Sequence, residues 1–247
     1  MAHSADRKLS DPIAKEQARV VSSSQPHRLL VANAKGGSGK TTITTNIGCY
    51  LASKDFHVAI IDHDPQGSSS QWVKERNETL PTIDCVEAFK KNDGHSTRSF
   101  QLKVPVETDF IISDTPAGIN GVDLSEHIRH CDAILIPIVP SAIDIRAATS
   151  FIKDVLLCPG FRRKPKPIAV IANRVKRNTV GYSKLEIFLR SLNIPFVATI
   201  RDTQRYVRAA EVGMGIYDFS NPNADDMKEW QPLIQWLHVQ LQNSEKN

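Results

Sequence analysis

The chain has 247 residues, 40% hydrophobic and 23% charged, with 6% aromatics and a formal net charge of +4. That is room for one large α/β domain rather than two, and a core of Val, Ile, Leu and Ala suits a parallel sheet covered on both faces. No apolar run reaches the length of a membrane span, the N-terminus lacks the apolar core of a secretion signal, and Cys49, Cys85, Cys131 and Cys158 form no C-x-x-C pair. These features argue against a membrane-spanning protein, a disulfide framework and a zinc or iron–sulfur site, and they predict a cytoplasmic protein.

Residues 1 to about 26 are polar, with Ser22-Ser23-Ser24 ahead of Gln25-Pro26, and read as a flexible extension; 27–247 read as the domain. From Arg28 onward strand-like and helix-like runs alternate, which predicts parallel β-α units with right-handed crossovers. Strands are expected at 28–33, 57–62, 109–113, 132–138, 167–172 and 195–199, and helices at 41–53, 121–130, 143–157, 181–192, 203–212 and 225–242. Helical pieces are expected between 66 and 90, while 91–108 reads as a loop with at most an edge strand. The fold class that follows is α/β, a doubly wound, mostly parallel sheet flanked by helices.

Between the first strand and the first helix stands Asn33-Ala34-Lys35-Gly36-Gly37-Ser38-Gly39-Lys40-Thr41-Thr42. At such a junction free helical N–H groups and the positive dipole end face a ligand, and glycines let the backbone wrap an anion, so the stretch reads as a phosphate-binding loop. The usual G-x-x-x-x-G-K-[ST] pattern fails at Ala34; K-G-G-x-G-K-T-T fits, with an extra lysine, Lys35, near the start. The second strand runs into Asp62-His63-Asp64-Pro65-Gln66-Gly67, which sets two carboxylates at its carboxyl end, beside the loop. Alternation turns Asp62 and Asp64 one way and His63 the other, making His63 a bystander. The third apolar strand, Phe110-Ile111-Ile112-Ser113, ends in Asp114 and continues into Thr115-Pro116-Ala117-Gly118. A carboxylate there can hold magnesium, usually through water, opposite the loop. His127, His130 and Cys131 lack a completing ligand set and read as packed or exposed positions.

Charge is uneven along the chain. Residues 160–210 carry twelve Lys or Arg against Glu186 and Asp202, a local balance of +10 that leaves −6 for the remainder. Either a polyanion-binding surface or a solvated face follows. In the helix 203–212, Arg205 and Arg208 share a face, Arg201 lies just before it, and Lys176 and Arg177 are expected to join them as a cationic ridge, with Val207 and Ala210 turned toward the core. The last helix carries an apolar stripe, Met227, Trp230, Ile234, Leu237 and Leu241, and a nearly neutral polar face, which suits core packing rather than a membrane surface.

Taken in order, K-G-G-x-G-K-T-T, D-x-D-P-Q and an apolar strand ending in Asp resemble the deviant-Walker P-loop ATPases of the ParA/MinD superfamily, over residues 28 to about 242. The resemblance implies ATP and Mg2+ as cofactors, with Gly36, Gly37, Ser38, Gly39, Lys40, Thr41 and Thr42 around the phosphates. It implies that Lys40 holds the β and γ phosphates, that Thr41, Asp62 and Asp114 lie on the magnesium side, and that Asp64 positions the attacking water. Lys35 matches the lysine that reaches across a dimer to the partner's nucleotide. Asn173 matches an asparagine that binds adenine, or else simply ends a strand in a turn. D-T-P-A stands where many relatives have D-T-P-P. The small ParA-type proteins fit best, which implies a homodimer formed on ATP binding and non-specific DNA binding through Lys176, Arg177, Arg201, Arg205 and Arg208. It also implies slow hydrolysis stimulated by a cargo-bound partner protein, nucleoid association and no membrane contact. A DNA-transfer helper ATPase, a MinD-like membrane-cycling regulator and a dethiobiotin-synthetase-like ligase stand as alternatives.

Overall fold

The computed structural model describes residues 25–90, 104–176, 179–191 and 194–244. Its strands are β1 His27–Val31, β2 Val58–Asp62, β3 Ile83–Glu87, β4 Phe110–Asp114, β5 Ala133–Ile138, β6 Ile168–Val175 and β7 Phe196–Arg201. All pair in parallel, in the order β3-β2-β4-β1-β5-β6-β7. The helices are α1 Lys40–Ala52, α2 Ser68–Glu75, α3 Gly121–Arg129, α4 Ala142–Leu157, α5 Pro159–Arg163, α6 Val180–Ser191, α7 Gln204–Ala210 and α8 Ala224–Ser244.

The central strands read as unbroken apolar runs because both faces are covered; β2 and β5 are buried at every position. Alternation along β1 splits the core in two. Leu29 and Val31 pack on one side with Ile43 and Ile47 of α1, Trp72 of α2 and Trp230 of α8. Leu30 packs on the other with Leu124 of α3, Phe151 of α4 and Leu185 of α6. The doubly wound α/β sheet expected from the sequence is therefore observed. Full burial of Ile43 and Ile47 is worth roughly 1.5–3 kcal/mol each, which anchors α1, and with it the loop ahead of it, to the centre of the sheet.

Strand register then positions the site. Asp62 at the end of β2 pairs with Asp114 at the end of β4, and Val31 at the end of β1 pairs with Asp114 from the other side. Three strand ends and the loop after β1 thus meet at one spot on the carboxyl edge.

Several expectations need correction. The stretch 66–90 is helical only over α2; Ile83–Glu87 is instead the outermost strand, buried at Ile83 and mostly half-buried beyond it, so its apolar signal is weak. In α7 the inward residues are Ala209 and the half-buried Tyr206, while Val207 is 49% exposed and Ala210 faces solvent. Trp230 Nε1 donates to the Tyr206 hydroxyl at 2.9 Å, which fixes that rotation of the short helix. Most of the N-terminal extension, residues 91–103 and Arg177 lie outside the described residues.

Candidate active site

The loop's conformation is set by glycine and braced by two asparagines. Gly37 and Gly39 have φ of 74° and 89°, a region that side-chain-bearing residues avoid. A Cβ on Gly39 would also lie 1.9 Å from Asn173 Nδ2. Asn33, at the loop's start, donates to the Pro137 carbonyl at 2.7 Å and accepts from Lys35 N at 2.9 Å. Asn173, only 2% exposed, donates to the Ser38 carbonyl at 2.9 Å and accepts from Arg174 N at 3.0 Å. Arg174 reaches that contact with φ of 53°, where β6 slips register between Ala172 and Val175. Both ends of the Asn173 amide are thus engaged by the protein, and the residue braces the loop from below.

Lys40 begins α1 and is 7% exposed; burial lowers its pKa, against the charges of Asp114 and Asp64. Thr41 Oγ1 donates to Asp114 Oδ2 at 2.7 Å. Asp114 is 1% exposed, and burial pushes its carboxyl up to about 6, against hydrogen bonds from Ser69 and Thr41 and with Asp62 adding to the rise. Its Oδ1 is buried with no hydrogen-bond partner among the described residues. A buried acceptor left in that condition suits a hard cation, and the neighbouring Thr41 hydroxyl is an oxygen donor of the right kind. Thr41 and Asp114 can therefore hold magnesium. Asp62, fully buried, accepts from Ser70 N and Ser70 Oγ at 2.8 Å each and from Asp64 N at 3.1 Å. It is held by α2 and by its own loop.

Asp64 is half-buried, close enough to Lys40 to affect it, and accepts from Gln66 N at 3.0 Å. His63 points elsewhere: its ring meets His127 of α3 edge-on, centroids 4.3 Å apart, and burial together with His127 lowers its pKa to about 3. The loop after β4 touches the phosphate loop through Gly118 N, which donates to the Ala34 carbonyl at 2.8 Å. Lys35 is exposed, on the outer rim. A cleft of about 620 Å³ opens beside Thr41 and Thr42, walled by Trp72, Tyr206 and Met214. Gly36, Gly37, Ser38 and Gly39 thus join Lys40, Thr41, Thr42, Asp62, Asp64 and Asp114 in one site.

The sequence reading missed Asn33 as a brace and the serines at 69 and 70 as partners of the acids. A signal was present in both cases: an Asn flanking the loop, and hydroxyls in the first turn of a helix directly after D-x-D-P-Q-G.

Most described cations of the expected ridge are ion-paired. Arg201 lies 2.6 Å from Asp226, 3.3 Å from Asp225 and 3.9 Å from Glu229, all at the start of α8. Arg205 Nε sits 2.9 Å from the fully buried Asp226 and its guanidinium covers the Phe219 ring. Lys176 and Arg174 share Asp202 at 3.5 and 3.6 Å. Arg208 is exposed and makes no ion pair among the described residues. Of the charges counted along 160–210, Arg201 and Arg205 are answered by acids that α8 brings back.

A family profile described as the CobQ/CobB/MinD/ParA nucleotide binding domain matches residues 29–216. The chain belongs to this family. Within the wider similarity, maintenance of carboxysome distribution protein A from Halothiobacillus neapolitanus is 28% identical over 202 residues, covering 80% of this chain and 89% of the relative. An ATP complex of Cyanothece McdA has a TM-score of 0.61 at 17% identity, over 85% of this chain and 97% of that one. MinD from Aquifex aeolicus has a TM-score of 0.61 at 20% identity, over 85% and 96%. The two structural likenesses are likenesses of fold. The sequence match to the family assigns a ParA/MinD-type nucleotide-binding domain to the segment that carries every residue of the site.

Proposed function

We propose that this protein is a ParA-like ATPase that binds ATP with magnesium, closes as a nucleotide-sandwich homodimer, binds DNA without sequence preference and positions a cargo as a partner protein stimulates hydrolysis. The observation that carries the ATPase reading is the unpartnered Oδ1 of buried Asp114 beside Thr41 and Lys40, at the mouth of a glycine-built anion loop. Lys40 would neutralise the β and γ phosphates, Thr41 and Asp114 would hold the metal, with Asp62 behind them, and Asp64 would orient water for in-line attack. Phosphoryl transfer needs little covalent chemistry from the protein, so positioning and charge stabilisation supply the catalysis. Asn173 is first a brace; the amide hydrogen not spent on Ser38 is what an adenine contact would use.

Support for the dimer comes from the carboxyl edge itself. Exposed Lys35 is accompanied there by exposed Val122, Ile143 and Val180, each in the first turn of a helix that follows a strand end. Similarity to a carboxysome distribution protein favours cargo positioning over the ligase reading. No helix among the described residues is long and apolar enough to cross a membrane. The test is light scattering with a non-hydrolysable ATP analogue. The parent should shift to a dimer, and Lys35→Ala should bind the analogue yet stay monomeric. A stable dimer from the variant would reduce Lys35 to a solvated loop residue.

A further inference from the structure

The geometry points to Ser69 as a positioning residue for Asp114, one that fixes which of its carboxylate oxygens is presented to magnesium; this rests on reading the site as magnesium-dependent. Ser69 is fully buried in the first turn of α2, which enters through Gly67 at φ 65° directly after Asp62-His63-Asp64-Pro65-Gln66. Its hydroxyl donates to Asp114 Oδ2 at 2.5 Å, the same oxygen that takes the Thr41 hydroxyl at 2.7 Å. Both donors therefore fall on one oxygen, and Oδ1 is left buried without a hydrogen-bond partner among the described residues.

That asymmetry has a physical cause. Asp62 and Asp114 are register partners on neighbouring strands, fully buried and 1% exposed, so two like charges sit side by side with little water between them. Adjacent serines of α2 divide the work: Ser70 takes Asp62 through its N–H and hydroxyl, and Ser69 takes Asp114. Each acid is drawn toward the helix by one oxygen. A carboxylate has about four acceptor positions over two oxygens, and its terminal torsion is broad and two-fold. With Thr41 alone on Oδ2 the carboxylate can rotate, and the Thr41 hydroxyl must then orient Asp114 as well as serve a metal. Ser69 holds Oδ2 independently of Thr41, so Oδ1 stays aimed while Thr41 offers its lone pairs to the cation. The D-x-D-P-Q segment thereby delivers, a few residues on, a part of the magnesium site that lies outside its own acids.

The experiment measures affinity for a fluorescent ATP analogue across a magnesium titration and again in EDTA, for the parent, Ser69→Ala, Ser69→Cys and Ser69→Thr. Ser69→Ala should raise the half-saturating magnesium concentration about ten- to a hundredfold, the usual cost of losing a partner that orients a metal ligand, and leave affinity in EDTA unchanged. Ser69→Cys fills the site, with a slightly larger atom, but has only a weak donor, so it should behave like Ser69→Ala and supplies the comparison should the alanine variant fold poorly. Ser69→Thr should restore most of the parent response. An unchanged magnesium midpoint in both Ala and Cys variants, or an equal loss in EDTA, overturns the assignment and leaves Ser69 a packing residue. A parent whose nucleotide affinity ignores magnesium would instead overturn the reading of the site on which the assignment stands.

Discussion

Asp114 and Asp218 are both withdrawn from solvent, yet one carboxylate oxygen of Asp114 has no hydrogen-bond partner among the described residues while Asp218 is gripped by both arms of Arg76 at 2.8 Å. Asp218 also accepts from Gly215 N at 2.7 Å and from the Cys49 thiol at 3.0 Å, and Arg76 reaches on to the Gly213 carbonyl at 3.0 Å and over the Trp72 ring. Burial alone would raise the Asp218 pKa, but the hydrogen bonds from Arg76, Cys49 and Gly215 outweigh it and hold the carboxyl low. At Asp114 burial wins, and the carboxyl rises to about 6. One acid locks the loop after α7 onto α1 and α2; the other is kept short of partners at the spot where a metal is needed. The contrast sets an acid held on both oxygens beside one that keeps an acceptor open at the proposed metal site.

The largest effect that tests this contrast is on stability. Arg76→Ala leaves a buried, uncompensated Asp218 and should cost about 3–5 kcal/mol in urea unfolding. Because the Asp218 pKa is depressed, its contribution is present at neutral pH and is lost as pH falls through and below the ordinary carboxylate range, so the parent and the variant should converge in acid. A loss under about 1 kcal/mol would mean that Asp218 is no better served than Asp114.

The opposite sign is expected at the site. Because the Asp114 pKa is raised, its contribution favours folding in acid and is lost as pH rises from near 4 through about 6. Asp114→Asn should therefore stabilise the protein in EDTA at pH 7.5, by about 1–3 kcal/mol, while removing the stabilisation that magnesium and nucleotide give the parent. Thermal melts in EDTA and in magnesium with nucleotide check both halves. A lower melting temperature for Asp114→Asn in EDTA would end the comparison.

What was legible in the sequence follows the same division. The loop from Asn33 to Thr42, Asp62, Asp64 and Asp114 could be read because each lies at a strand end whose apolar run announces it, and the strand order then brings those ends together. β3 could not, since an outermost strand of five residues with one buried position carries almost no periodic signal. Nor could Asn173 be read as a brace, because its partner Ser38 lies 135 residues away. The pairing within the ridge was hidden for a related reason: Arg201 is answered by Asp226, 25 residues later, and a local charge count does not include an acid that the fold returns to the same place.

The smallest expected effect concerns that ridge. On the proposed DNA surface, Arg208→Ala should weaken binding on unrelated duplexes alike and reduce the log–log salt slope by about 0.9, one phosphate contact. Arg205→Ala should change the slope less and the stability more, because its guanidinium is committed to Asp226 and Phe219. Shift assays at several salt concentrations, paired with melts, separate the two. Equal slopes for all three proteins would place the DNA surface elsewhere.

The most direct test of the account is phosphate release from Asp64→Ala beside the parent, with dimer content followed in the same samples. Asp64 is half-buried next to Lys40 and outside the hydrogen bonds that fix Asp114, so its replacement should spare the nucleotide site and remove only the group that orients water. The predicted result is magnesium-dependent ATP binding equal to the parent, a dimer that persists, and phosphate release at least about tenfold slower, as expected for loss of a water-orienting group. Phosphate release at the parent rate from a variant that binds ATP would contradict it.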